Sequence, residues 1–297
     1  MITVASVAAA AAARLRDAGL PPSDARQDAA VLARGVLGWT LADWLSQSHQ
    51  PAPAGFPSTF DALVARRAAR EPVAYLLGEK EFYGRRFEVT ADTLIPRPET
   101  EGLVEITLLW IRRRVATRPG PISLVDVGTG TGCIAITLAL ECAPVRMQLT
   151  ATDISAAALA VATANASRLN APAIDFRLGH LLAKAALPID VVVSNPPYVS
   201  RLDRDAMQDD VLRYEPARAL FGGDSGLDVI AELIPEARRA IAPGGVLLME
   251  VGVGQADRVT AWLESAGFVA PEQHPDLQGI ARVVVGHAPV SAAWPGL

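Results

Sequence analysis

Two stretches of this 297-residue chain and one carboxylate between them carry residue types that handle ligands. The first stretch is DVGTGTG, Asp126 to Gly132, between an apolar run and a helical pattern. Its glycines, Gly128, Gly130 and Gly132, permit a tight strand-to-helix turn and let a ligand approach the backbone closely. Asp153 lies 21 residues beyond Gly132, at the end of the next apolar run. A carboxylate there can accept both hydroxyls of a ribose. The spacing is GxGxG, whereas a dinucleotide fingerprint is GxGxxG, and Cys133 stands where its last glycine belongs. That difference turns the reading away from NAD and toward S-adenosylmethionine, which has no pyrophosphate to seat on the helix.

The second stretch, IDVVVSNPPY, places Asn195, Pro196, Pro197 and Tyr198 directly after an apolar run typical of a strand buried on both faces. Ligands in open α/β sheets bind beyond the carboxyl ends of the strands. The two prolines stiffen the turn and remove two backbone donors, so it presents mainly acceptors. Asn195 adds a side-chain carbonyl, and Tyr198 adds a flat face and a hydroxyl. Such a group of acceptors suits a planar NH2. Its two hydrogens can be fixed so that the nitrogen lone pair turns toward a methyl donor, help that acts chiefly in the transition state. No strong base is needed first, because the nitrogen becomes acidic once methylated.

These residues need a scaffold, and the pattern from about residue 102 supplies one. Helix 102–115, strand 123–127, helix 132–141, strand 147–152, helix 155–169, strand 174–178 and strand 189–194 follow in order. Helix 226–241, a Pro-Gly-Gly turn, strand 246–251, helix 255–266 and a strand pair near 268–274 and 281–287 complete the series. The alternation predicts a doubly wound α/β sheet. Residues 1–74 read as a small helical domain, with Asp24 and Gln27 as a capping box and Thr40 opening a short helix. Residues 75–101 read as a connector: two short strands about Gly84, then LIPRPETE, whose prolines forbid regular helix until Glu99. Arg97 and Thr100 within it are candidates for the wall of the cofactor cleft.

Composition narrows the functional classes. Hydrophobic residues make up 51% and charged residues 20%, enough for a sizeable core. The net charge is −5, and residues 121–297 hold 12 basic against 19 acidic groups, which argues against a catalytic surface that grips nucleic acid. Only Cys133 and Cys142 are cysteines. On one helix they stand about 13 Å apart along the axis, too far for a disulfide. Two reduced, buried thiols suit a cytoplasmic protein, and two cysteines exclude a disulfide scaffold or a cysteine-based zinc site. No histidine pair has metal-ligand spacing, so no metal is expected. No apolar stretch reaches the roughly 18 residues of a membrane span. The arginines at 112–114 and Arg118 read as a solvated helix end beside its C-terminal dipole.

Most of the chain resembles the HemK/PrmC protein-(glutamine-N5) methyltransferases. PVAYLLGEKEFYGRRFEVTADTLIPRPETE (72–101) is similar to that family's connector and hairpin, and DVGTGTGCIAI (126–136) to its cofactor loop. NPPY resembles its substrate motif, and YEPARALFGGDSGLDVI (214–230) the stretch that follows. The resemblance implies a class I S-adenosylmethionine-dependent methyltransferase, with a Rossmann-like doubly wound sheet, a helical substrate-binding domain at 1–74, a hairpin connector at 75–101 and a catalytic domain at 102–297. The implied reaction methylates N5 of the glutamine in the Gly-Gly-Gln tip of class I peptide chain release factors. Asn195, Pro196, Pro197 and Tyr198 are the implied catalytic set. Gly128, Thr129, Gly130, Thr131, Gly132, Asp153, Leu181 and Asn195 are the implied cofactor set. The family often has an acidic residue before the large apolar one after the third strand; here His180 precedes Leu181. Rival readings are an amino-group methyltransferase acting on DNA or RNA bases and a non-catalytic release-factor-binding module.

Overall fold

The computed structural model describes residues 2–143, 145–183 and 185–290. The chain forms two compact units: one runs to Glu79 and includes Gln208–Tyr214, and the other comprises Lys80–Met207 and the chain from Glu215 onward.

In the first unit, helices α1 (Val4–Asp17), α2 (Pro22–Leu37), α3 (Leu41–Gln47), α4 (Phe56–Ala68) and α5 (Val73–Leu77) enclose their own core. Val4, Ala8, Ala11 and Leu15 recur at helical spacing on α1 and are buried. Ala25, Ala29 and Leu32 of α2 and Phe56, Phe60 and Val64 of α4 do the same. Thr40 caps α3 in a capping box with Asp43. No such box forms on Asp24 and Gln27: α2 begins earlier, at Pro22, whose ring presets the first helical φ, and no side chain caps it. Arg67, almost wholly buried, explains how Gln208–Tyr214 joins this unit. Its guanidinium meets Asp28 at 2.7 Å and Asp210 at 3.3 Å, and the Tyr214 hydroxyl donates to the Ala69 carbonyl at 3.0 Å. Asp210 and Tyr214 lie on a short helix, α9 (Asp209–Tyr214).

The second unit opens with a hairpin, β1 (Glu79–Phe82) and β2 (Arg85–Glu88), turned by Tyr83 and Gly84 in positive φ. Helix α6 (Thr100–Thr117) leads into β3 (Ile122–Val127), α7 (Cys133–Glu141), β4 (Met147–Asp153), α8 (Ala156–Arg168), β5 (Asp175–Leu178) and β6 (Ile189–Ser194). Helix α10 (Ala217–Leu220), α11 (Asp228–Ala240), β7 (Ile241–Glu250), α12 (Ala256–Ser265), β8 (Val269–Pro275) and β9 (Ala281–His287) complete it. The seven strands of the described sheet lie in the order β5-β4-β3-β6-β7-β9-β8. Those from β5 to β7 pair in parallel, and β9 pairs antiparallel to both β7 and β8. This is the Rossmann-like doubly wound sheet that the alternation of strands and helices predicts, with β9 as its one antiparallel strand among the described residues. Helices α6 and α7 pack with one face of the sheet and α11 and α12 with the other, each over its own apolar cluster. Helix α7 is buried nearly all round, as its mostly apolar sequence, interrupted by Thr137 and ended by Glu141, requires.

Two further local expectations differ from the structure. Strand β7 starts at Ile241, so Pro243-Gly244-Gly245 lies within the strand and the pairing with β6 shifts register there. A Cβ at Gly245 would stand 2.7 Å from the Asp190 carbonyl oxygen, which is why glycine sits at that crossing. Arg114 is not part of a solvated helix end: it is mostly buried and reaches Asp190 at 3.4 Å, while Asp190 also accepts the Ser123 amide at 3.0 Å.

Candidate active site

The sheet order reverses between β3 and β6, and the ends of β3, β4, β6 and β7 there carry the candidate residues. After β3, Gly128, Gly130 and Gly132 take φ values of +72°, +56° and +80°, which only glycine adopts without strain. The amides of Gly128 and Thr129 bond the Thr152 carbonyl of β4. A Cβ at Gly128 or Gly130 would meet no protein atom within 4 Å, so both face open space. At Gly132 a Cβ would press on Ile136 at 2.8 Å and Ala162 at 3.2 Å, so this glycine serves helix packing.

Asp153 closes β4. Its Oδ2 accepts the Gly130 amide at 2.9 Å and its Oδ1 the Ser155 amide at 2.8 Å, so the carboxylate is held rigidly with further acceptor capacity on each oxygen. Asp126 lies beneath the turn, fully buried, with the Thr129 hydroxyl donating to its Oδ2 at 2.6 Å and its Oδ1 unpartnered. Burial pushes its carboxyl up to about 7. Burial likewise pushes the Cys133 thiol up to about 12. Leu181 sits in positive φ (+48°), and its carbonyl accepts the Thr152 hydroxyl at 2.7 Å. The neighbouring His180 pairs with Glu232 at 2.8 Å on the exposed rim.

One cleft brings together Gly128, Gly130, Asp153, Leu181, Asn195, Pro196 and Pro197, with Ile154 and His180 also on its wall. Thr129, Thr131, Gly132 and Tyr198 do not line it. Thr129 instead braces Asp126, and the Thr131 carbonyl accepts the Asn165 side chain at 3.0 Å. Ser194 ties the end of β6 to β3 by donating to the Val127 carbonyl at 2.8 Å. Asn195 donates from Nδ2 to the Thr100 hydroxyl at 3.0 Å. Tyr198 is largely buried, its hydroxyl donating to Glu250 at 3.1 Å. Burial, with the adjacent Glu250 charge, raises the tyrosine pKa.

Other supports of this loop were not among the sequence candidates. Glu250, at the end of β7, is almost completely buried, and burial raises its carboxyl above the usual range. A lone acid ending the apolar run VLLMEV is the signal that marks it. Gln255 donates from Nε2 to the Tyr198 carbonyl at 2.9 Å and accepts the Gly252 amide at 2.8 Å. Gly222 leaves no room for a side chain: a Cβ there would lie 2.3 Å from the Pro197 carbonyl oxygen. Arg97 does not line the cleft; it meets the buried carboxylate of Glu215 at 2.5 Å, and Glu215 also accepts the Ile95 amide at 3.2 Å.

A proline-stiffened Asn195 loop thus shares a cleft with a glycine turn and a fixed carboxylate, the combination expected of an amide methyltransferase. Comparison with known proteins agrees. Residues 7–78 match the model of the PrmC N-terminal domain, and residues 117–223 match that of the methyltransferase small domain. The chain is 45% identical over 234 residues to the release factor glutamine methyltransferase of Koribacter versatilis, covering 78% of this chain and 80% of that one. It is 42% identical over 279 residues to that of Bordetella pertussis, covering 92% and 97%. The chain belongs to the release factor glutamine methyltransferase family. A methyltransferase structure from Pyrococcus furiosus matches at 16% identity with a TM-score of 0.50, over 78% of this chain and 99% of that one, which shows the shared fold.

Proposed function

We propose that this chain is an S-adenosylmethionine-dependent enzyme that methylates N5 of the glutamine in the Gly-Gly-Gln tip of class I peptide chain release factors. The observation that carries the reading is Asn195: it lines the cleft, its amide nitrogen is committed to Thr100, and no described side chain or backbone group occupies its Oδ1. That oxygen is an acceptor for a substrate NH2, and the Pro196-Pro197 turn beside it offers carbonyls and no N–H.

The residues of the cleft fit the cofactor. Gly128 and Gly130 leave room beside the turn, Asp153 offers acceptors for ribose hydroxyls, and Ile154 and Leu181 provide apolar walls for an adenine. When bound, S-adenosylmethionine supplies a methyl group on a positively charged sulfur. Asn195 and the proline turn fix the hydrogens of the target amide, which favours the pyramidal nitrogen of the transition state. Tyr198 packs beside the loop and holds it against Glu250. Thr129, Thr131 and Gly132 shape the turn that presents Gly128 and Gly130. We assign residues 1–74 to holding the release factor, 75–101 to the connector and 102–297 to catalysis. The reaction belongs in the cytoplasm, a placement supported by the free, buried Cys133 and Cys142. No helix among the described residues is long and apolar enough to cross a membrane.

An exocyclic amine on a nucleobase would meet the same acceptors, but the acidic composition of residues 121–297 disfavours a polyanionic substrate. The test is mass spectrometry of a purified release factor and of duplex DNA, each incubated with enzyme and S-adenosylmethionine. A single methyl on the tip glutamine supports the reading; methylated DNA with an unmodified release factor overturns it.

A further inference from the structure

We propose that Asn165 is a positioning residue of the cofactor cleft: its side-chain amide ties the glycine turn to the connector and so fixes the separation of two of the cleft's walls. The inference rests on the reading of this cleft as the S-adenosylmethionine site, and it concerns a residue that does not line the cleft. The glycine turn contributes Gly128 and Gly130 to the cleft, and the connector contributes Asp92, Thr93 and Leu94. A cofactor held by both gains most when their spacing is set before it binds.

Asn165 sits on α8, about one helical turn beyond Ala162, and is completely buried. That face of α8 packs against the turn, since a Cβ at Gly132 would press on Ala162. Asn165 adds a polar tie on the same face, its Nδ2 donating to the Thr131 carbonyl at 3.0 Å. The other hydrogen of Nδ2 goes to the Glu88 carbonyl at 3.0 Å, and Oδ1 accepts the Glu88 amide at 2.7 Å. Glu88 ends β2, so the side-chain amide serves the hairpin as a residue of a neighbouring strand would. Arg168 donates to the same Oδ1 at 3.2 Å and also to the Arg86 carbonyl. These bonds fill the two donor and two acceptor places of a primary amide. Their polarity is fixed, because a backbone N–H only donates and a backbone carbonyl only accepts. Little slack separates Glu88 from the cleft wall. Phe87 and Val89 on either side of it are buried. Thr90 then turns the chain: its Oγ1 accepts the Asp92 amide at 3.2 Å and its carbonyl the Thr93 amide at 3.1 Å. A shift at Glu88 is therefore passed on to residues 92–94. An apolar side chain at 165 would leave the Thr131 and Glu88 carbonyls and the Glu88 amide without their shared partner.

Calorimetry of S-adenosylmethionine binding and kinetics of release-factor methylation, both with the full chain, test this. Asn165→Ala is expected to raise the cofactor Kd roughly tenfold or more, since the turn and the connector lose their common partner. At saturating cofactor, kcat and the KM for release factor are expected to stay within about threefold, as a loss confined to cofactor binding requires. Asn165→Asp keeps the acceptor but turns a carboxylate oxygen on both carbonyls, so it is expected to weaken cofactor binding at least as much as alanine does. A variant that melts lower but binds the cofactor normally shows a part in the fold alone and overturns the proposal. A loss confined to kcat, or an Asn165→Asp enzyme that binds like wild type, overturns it too. If neither variant folds, Thr90→Val acts on the same wall from a half-buried position. Its cofactor Kd is expected to rise at least about threefold with kcat kept, and unchanged affinity there also overturns the proposal. A wild-type enzyme that binds no S-adenosylmethionine would end the reading of the cleft instead.

Discussion

Asp126→Asn removes a carboxyl that the fold buries completely beneath the glycine turn. Burial pushes its pKa from 3.8 up to about 7; the Thr129 hydroxyl and the Ala135 amide oppose the shift, and Asp153 adds to it. The folded value lies above the unfolded one, so the native state holds this proton more tightly. Its contribution to stability is complete below about pH 4 and is lost as pH rises through about 7. The interval from 3.8 to about 7, at about 1.36 kcal/mol per unit, corresponds to about 4 kcal/mol in total. Roughly 2–3 kcal/mol of that falls between pH 5 and pH 8. Asparagine keeps the shape and an acceptor for Thr129 but cannot ionise. Urea unfolding of wild type and variant without cofactor, at pH 5 and at pH 8, reads the difference. The variant is expected to gain stability relative to wild type by about 2–3 kcal/mol across that range. Parallel pH dependences in the two proteins would refute the assignment of a protonated, buried Asp126.

Three further outcomes follow from the same geometry. Asp153→Ala is expected to weaken S-adenosylmethionine binding by about 1.5–3 kcal/mol in calorimetry, through lost hydrogen bonds to an ionised group; unchanged affinity would remove Asp153 from the ribose site. Gly222→Ala forces a methyl to 2.3 Å from the Pro197 carbonyl oxygen, so kcat is expected to fall at least tenfold with cofactor affinity largely kept, and normal turnover would show that the loop tolerates displacement. With its thiol pushed up to about 12, native Cys133 is expected to react with a thiol reagent at pH 8 about 10³-fold more slowly than an unperturbed cysteine; modification before unfolding would contradict its burial.

The parts legible in the sequence are those written in periodicity or in backbone demand. The apolar runs of β3, β4 and β6 are buried on both faces, and their alternation with helices predicts the doubly wound sheet. Glycines at 128, 130 and 132 announce a turn because positive φ excludes other residues. The parts not legible depend on contacts between distant positions. Arg67 and Asp210 stand 143 residues apart, and their pairing, which draws Gln208–Tyr214 into the helical unit, leaves no local pattern. Glu250 reads locally as an acid at a strand end; only the folded chain places the Tyr198 hydroxyl against it. Proline at 22 moved the start of α2 ahead of the apparent capping box, and the glycines at 244 and 245 let β7 run through what reads as a turn.

The central claim is that Asn195 acts on the amide being methylated rather than on the cofactor alone. The most direct measurement is a time course of methyl incorporation into the tip glutamine of a purified release factor, by wild type and by Asn195→Ala, with cofactor affinity measured in parallel. The rate is expected to fall by about 10²–10³ with the cofactor Kd little changed, as loss of one preorganised polar contact predicts. Near-normal turnover by Asn195→Ala, or a rate loss matched by an equal loss of cofactor affinity, would contradict the account.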